Sequence, residues 1–190
     1  MSQNNEPPVP ASPDDADSQE SATAFYAEND AALAAARTLY HVLPVGEDRI
    51  EFEGNFLVGW SSGCAAVFRT TGERVWVSVP DDTMTALAQL RRVMYKPGLG
   101  TWFSLTMTVF DDGRIKTAYD YDNEPAWDTP VDSVEYVTDE HVYPIDEDNR
   151  PAWLAQRLTE GRQRLHNSDP KYYPQWLTNQ IARGERPDWL

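Results

Sequence analysis

The chain has 190 residues, 41% of them hydrophobic, enough for one domain with its own core. A single cysteine, Cys64, excludes an internal disulfide and any metal site built from several cysteines. A net charge of −15 sets the chain against nucleic-acid phosphates and anionic lipid, and favours encounter with basic proteins.

Residues 1–25 carry five acidic and no basic residues and are rich in Pro, Ser and Asp. This composition predicts a disordered acidic tail. Tyr26, Leu33, Ala36, Tyr40 and Leu43 recur at helical spacing and predict a first helix over 26–43, ended by Pro44. Strands are expected at Arg49–Glu53 and Asn55–Trp60, with Ser61-Ser62-Gly63 as a hairpin turn into Ala65–Arg69. Thr71-Gly72 turns the chain into a strand at Arg74–Val79. A second helix is expected over 82–95, its inner face formed by Met84, Leu87, Leu90, Val93 and Met94.

From Thr101 to Phe110 the residues alternate, and Phe103, Leu105, Met107 and Val109 are expected to face the core. Asp111-Asp112-Gly113 is a hairpin signal, and Arg114–Tyr121 returns as the partner strand. Asp122 to Pro144 shows no firm pattern. Helices then start at Asn149-Arg150-Pro151 and at Asp169-Pro170. A Pro-x-Trp-Leu motif occurs at Pro151–Leu154, Pro174–Leu177 and Pro187–Leu190, at unequal spacing that argues against a solenoid. The pattern as a whole predicts a single α+β domain with an antiparallel sheet flanked by helices. The tail is assigned to 1–25, the domain to 26–165 and a helical C-terminal extension to 166–190.

There is no Gly-rich phosphate loop, no nucleophile elbow and no His-Glu-x-x-His. His41, His141 and His166 stand alone in sequence, and Cys64 lies in an apolar run that suits a small buried side chain. No stretch approaches the ~20 apolar residues of a membrane span. The first residues lack the basic and apolar regions of a signal peptide. With the lone cysteine, these features predict a cytoplasmic protein without cofactor or metal.

Charge is concentrated: residues 111–148 hold thirteen acidic and two basic residues, a net of −11. Within them Asp120, Asp122 and Glu124 alternate at a strand end, and Tyr119, Tyr121 and Trp127 interleave with them. Three carboxylates on one face could hold a divalent ion for hydrolysis. Acids mixed with aromatics fit a protein-binding surface better, because the carboxylates steer and pair with cations while the rings are buried. Asp120, Asp122, Glu124, Trp127 and Asp128 are therefore the expected partner-binding residues.

Gly100-Thr101-Trp102-Phe103-Ser104, then Asp112-Gly113, then Tyr119-Asp120-Tyr121-Asp122-Asn123-Glu124-Pro125 resembles the YezG-like immunity protein family. That family couples a Gly-x-Trp strand start to a Tyr-Asp-Tyr-Asp strand end. The run from Pro144 to Leu154, with Trp153, is similar to the family's C-terminal segment. The resemblance spans residues 26–165. It implies a bacterial antitoxin that neutralises a cognate toxin, often a nuclease, by tight binding and without catalysis. The alternatives are a divalent-metal hydrolase using Asp120, Asp122 and Glu124, and a regulatory scaffold for a non-toxin protein.

Overall fold

The computed structural model describes residues 13–190, with side chains from residue 23 onward. Their elements run α1 (Pro13–Tyr40), β1 (Arg49–Phe56), β2 (Ser61–Phe68), β3 (Arg74–Val77), α2 (Asp81–Val93), β4 (Ser104–Phe110), β5 (Ile115–Asp120), α3 (Ser133–Val142), α4 (Ala152–His166) and α5 (Gln175–Ala182). The strands form one sheet in the order β3-β2-β1-β4-β5, with every neighbouring pair antiparallel. This is the α+β architecture with an antiparallel sheet that the pattern predicts.

Helix α1 begins earlier than expected, at Pro13, so the latter part of the predicted tail is helical. Residues 1–12 of that tail lie outside the described residues. The sequence offers a local reason: a proline and three nearby aspartates suit a helix start. Extending a formed helix backwards is also far easier than nucleating one. The buried stripe of α1 is Ala31, Ala35, Ala36 and Leu39, whereas Tyr26, Leu33 and Tyr40 are exposed. The alanines let the helix pack closely, and the larger residues chosen by periodicity face outward. Tyr40 uses its hydroxyl to reach the Asp111 carbonyl at 3.1 Å.

Strand β1 is continuous through Gly54, and the chain reverses at Leu57–Trp60, where Leu57 N donates to the Trp60 carbonyl at 2.7 Å. The expected turn at Ser61–Gly63 is instead the start of β2. Gly63 is needed for space: it sits opposite Gly54, and a Cβ at either position would come 2.6 Å from the Phe52 ring. A glycine read as a turn residue, Gly63, and one that falls between two expected strands, Gly54, thus make room for an aromatic ring lying across two strands.

Helices α1 and α2 cover one sheet face. Leu39, Ile50, Phe52, Leu87, Leu90, Trp102 and Met107 form the centre of this first core, all at 0% exposure. Leu105, Met107 and Val109 face it as expected. Phe103 does not, because β4 begins only at Ser104. Trp102 turns into the first core and Phe103 into a second.

The second core joins α3, α4 and α5 to the end of the sheet through Leu57 and Phe103. Helix α3 falls in the stretch without a firm pattern. Asp132 caps it, accepting from Val134 N at 3.1 Å, and the Asp132–Glu135 spacing is that of a capping box. Each Pro-x-Trp-Leu copy plays one part. Pro151 and Pro174 precede helix starts, Leu154, Leu177 and Leu190 are buried, and the three tryptophans are half-buried against the same core. Residues 166–190 are therefore part of the domain, because Leu177 and Leu190 fill the same interior as Tyr136 and Leu158.

One polar link ties the two cores together. Arg91 of α2 donates to both carboxylate oxygens of Asp139 in α3, at 2.7 and 2.8 Å. Its Nε donates to the Trp102 carbonyl at 2.7 Å, and Asp139 also accepts from Val58 N at 2.8 Å. The two side chains are only 3% and 6% exposed.

Candidate functional site

The sheet face opposite α1 and α2 is built from the alternate residues of each strand. Glu53 of β1 lies between Cys64 of β2 and Thr106 of β4, and Thr106 is followed by Ala118 of β5. The next row is Ser62, Asn55, Ser104 and Asp120. Small side chains dominate both rows, so the surface is low there.

The chain after β5 folds back over this end of the sheet. Ser104 Oγ donates to Asn55 Oδ1 at 2.8 Å, and Asn55 Nδ2 donates to the Ala126 carbonyl at 2.9 Å. The result is an open cleft of about 740 Å³, with the two rows as its floor and residues 120–128 contributing a wall. Glu53, Asp120, Glu124 and Asp128 all line it, and among the described residues no Lys, Arg or His does.

The five residues chosen from sequence are close together but have different roles. Asp120 shapes the loop: its Oδ1 accepts from the backbone N–H of Asp122 and Asn123 at 3.0 and 2.9 Å, and its Oδ2 accepts from Asn123 Nδ2 at 2.9 Å. The Asn123 backbone donor, then its side-chain amide, hold the Asp120 carboxyl below the usual range. Asp122 is exposed, and its carbonyl accepts from Trp153 Nε1 at 2.7 Å. Glu124 is paired with Arg157 at 2.7 Å, a cation brought from α4.

Trp127 is half-buried against the second core and donates its indole N–H to Tyr136 Oη at 2.8 Å. It pins the cleft wall and is not an exposed anchor. Asp128 is exposed and makes no hydrogen bond or ion pair with the described residues.

Two further residues belong to the site. Glu53 projects from the central strand and, like Asp128, has no hydrogen-bonding or ionic partner among the described residues. An isolated glutamate alternating in a strand is an ordinary solvent-facing pattern, so nothing in the sequence marks it. Cys64 is exposed, contrary to the buried position its apolar neighbours suggest. Burial first, then Glu53, push its thiol pKa up, with Arg74 opposing. A raised pKa keeps it a thiol at neutral pH, which does not suit a nucleophile.

Among the described residues no group of three His, Cys, Asp or Glu could hold a metal ion, so Asp120, Asp122 and Glu124 do not converge. His141 stacks on Trp176 at 4.2 Å and His166 meets the Leu190 carbonyl at 2.8 Å; neither lines the cleft. No helix among the described residues is long and apolar enough to cross a membrane.

No protein-family model matches the chain, and no curated protein matches it. Most residues of the Gly-x-Trp and Tyr-Asp-Tyr-Asp pattern have structural work. Trp102 is fully buried with the Tyr119 ring 5.7 Å away, and Asp120 builds the turn that starts the cleft wall.

Proposed function

We propose that this chain is an immunity protein: a stoichiometric inhibitor that captures a basic bacterial toxin on the open face of its sheet, in the cytoplasm, without catalysis. The observation that carries this reading is the pair Glu53 and Asp128. They lie in a concave surface that the described residues line with four carboxylates and no cation, and neither has a hydrogen-bonding or ionic partner among the described residues. A carboxylate left unpaired in a cleft gains most from a partner's Arg or Lys. A toxin that handles nucleic acid must itself carry such cations to hold phosphate. The net charge of −15 adds long-range attraction, which raises the association rate and is screened over ~8–10 Å in physiological salt.

The test is surface plasmon resonance against basic toxin effector domains, beginning with the product of any effector gene that neighbours this one, with growth protection as the biological readout. Glu53→Gln combined with Asp128→Asn is expected to slow association, flatten its salt dependence and weaken protection. Trp127 is a poor probe, because its removal disturbs the fold. Wild-type kinetics from the folded double variant would exclude the cleft as the interface.

A further inference from the structure

The acidic cleft runs up to a sheet edge that is open. Strand β2 has eight residues, Ser61–Phe68, but β3 pairs with only the last four of them, Ala65 to Phe68. The burial of β2 changes at the same point: Ala65, Ala66 and Val67 are buried, whereas Ser61, Gly63 and Cys64 are exposed. Gly54, which lies opposite Gly63 on the central strand, is buried, so Gly63 owes its exposure to the lack of a strand on its other side. After Val77 the chain leaves for α2. Val79 packs against the first core, and Ser78–Pro80 make no backbone hydrogen bond to β2.

The ladder fixes which backbone groups are left over. Leu57 and Trp60 exchange both hydrogen bonds at the hairpin end, at 2.7 and 3.4 Å, and Arg69 N donates to the Glu73 carbonyl at 2.9 Å at the other end. Antiparallel pairing alternates by twos from either end. Ser62 and Cys64 therefore direct their N–H and C=O groups to β1, and Ala65 and Val67 direct theirs to β3. Ser61 and Gly63 direct theirs outward, beyond the end of β3, where they form no hydrogen bond with any described residue.

Two donors and two acceptors in line, on a segment without charge or proline, make a template for a further strand. This edge is continuous with the cleft, because Ser62, Gly63 and Cys64 line the cleft together with Glu53 and Asp128. Trp60, 47% exposed, stands directly before it.

Resting on the reading of the cleft as the partner-binding surface, we propose that the partner enters it as a β-strand: an extended segment with Arg or Lys at alternate positions pairs antiparallel with Ser61–Cys64, in line with β3. Residues of the segment opposite Ser61 and Gly63 give their N–H and C=O groups to β2. Those opposite Ser62 and Cys64 turn their side chains to the open face. From the position opposite Cys64, Glu53 lies two strand spacings away, about 10 Å, with only the small Cys64 side chain between. A long basic side chain and a glutamate reaching toward each other close that gap. Backbone pairing sets the register, and Glu53 and Asp128 select the basic side chains.

Synthetic peptides test this on the whole protein by NMR titration at low salt. The parent peptide alternates arginine and threonine over about six residues, enough to span the open edge. In the free protein the Ser61 and Gly63 amide hydrogens should exchange rapidly and those of Ser62 and Cys64 slowly. At saturating peptide the Gly63 amide should slow roughly tenfold. N-methylation of a central threonine, whose N–H faces β2, should weaken binding about fivefold or more, the loss of one backbone hydrogen bond. N-methylation of the neighbouring arginine, whose N–H faces away from the sheet, should change binding by less than about twofold.

Equal weakening by the two methylations, or a Gly63 amide that exchanges as fast in the complex as in the free protein, would overturn strand addition. A Gly63 amide already protected in the free protein would overturn it too, because the edge would then be closed. The cleft reading is judged separately: it stands if Glu53→Gln with Asp128→Asn weakens the parent peptide, and falls if that folded variant binds it like wild type. No binding of the parent peptide to the wild-type protein would overturn both.

Discussion

Replacing Asp139 with asparagine would leave the Arg91 guanidinium charged, 3% exposed and without a counter-ion. The asparagine can keep the bond from Val58 N and one bond from Arg91, but not the bidentate pair at 2.7 and 2.8 Å. Breaking a buried pair from one side costs about 3–5 kcal/mol, because the remaining charge cannot return to water. The retained hydrogen bonds put Asp139→Asn near the lower figure, about 3 kcal/mol. For a domain of this size that is a drop of roughly 6–12 °C in melting temperature. Removing both charges, as Arg91→Met with Asp139→Leu, should destabilise far less than the two single variants added together, since no charge is then stranded. Urea denaturation followed by tryptophan fluorescence measures wild type, Asp139→Asn, the single variants Arg91→Met and Asp139→Leu, and the double variant. A single Asp139→Asn variant within about 0.5 kcal/mol of wild type, the scale of a neutral surface change, would refute the view that this pair joins the two cores.

Burial, then the nearby Asp132 charge, raise the Glu135 carboxyl above its usual range. The folded state therefore disfavours the charged form, so Glu135→Gln should raise the melting temperature at pH 7, with the gap closing near pH 4, where the unfolded carboxyl protonates. Asp120 is shifted the other way, so its contribution is present above the unfolded value of about 3.9 and lost as pH falls through its lowered folded value. Asp120→Ala should accordingly cost about 1 kcal/mol at pH 7, shrinking in acid; a deficit constant down to pH 2 would contradict this. Leu177 is fully buried, so Leu177→Ala should cost about 2–5 kcal/mol, and deletion of residues 166–190 should disrupt the second core outright. A truncated chain that melts like the full one would restore the view of this segment as an extension.

Features determined by neighbours in sequence were legible without the structure. The Asp111-Asp112-Gly113 turn specifies its own geometry, with Gly113 at φ +84°, and the alternation Leu105, Met107, Val109 fixes which side of β4 is buried. The Leu87 and Leu90 stripe of α2 and the proline-started helix α4 follow from the same local logic, whereas Asp169-Pro170 starts only a short 3-10 turn and α5 begins at Gln175, after Pro174. The antiparallel α+β class follows from these elements together. The concentration of acid in residues 111–148 was also visible, and it marks the loop that walls the cleft. Other features depend on residues that meet only after folding. Gly63 reads as a turn residue and Gly54 as a gap between strands until Phe52 is seen lying across them. Trp127 reads as an anchor until Tyr136 accepts its N–H, and Glu124 reads as free until α4 delivers Arg157. Arg91 and Asp139 lie 48 residues apart, and no local pattern pairs them. Glu53 and Asp128 come from a central strand and a returning loop, and only the sheet register brings them to one cleft. The sequence by itself determined most of the elements, the charge and the aromatic content, because these depend on periodicity and composition. Which carboxylates are consumed by the fold and which remain for a partner was decided by tertiary structure, because an acid's availability depends on the cations and donors that the fold carries to it.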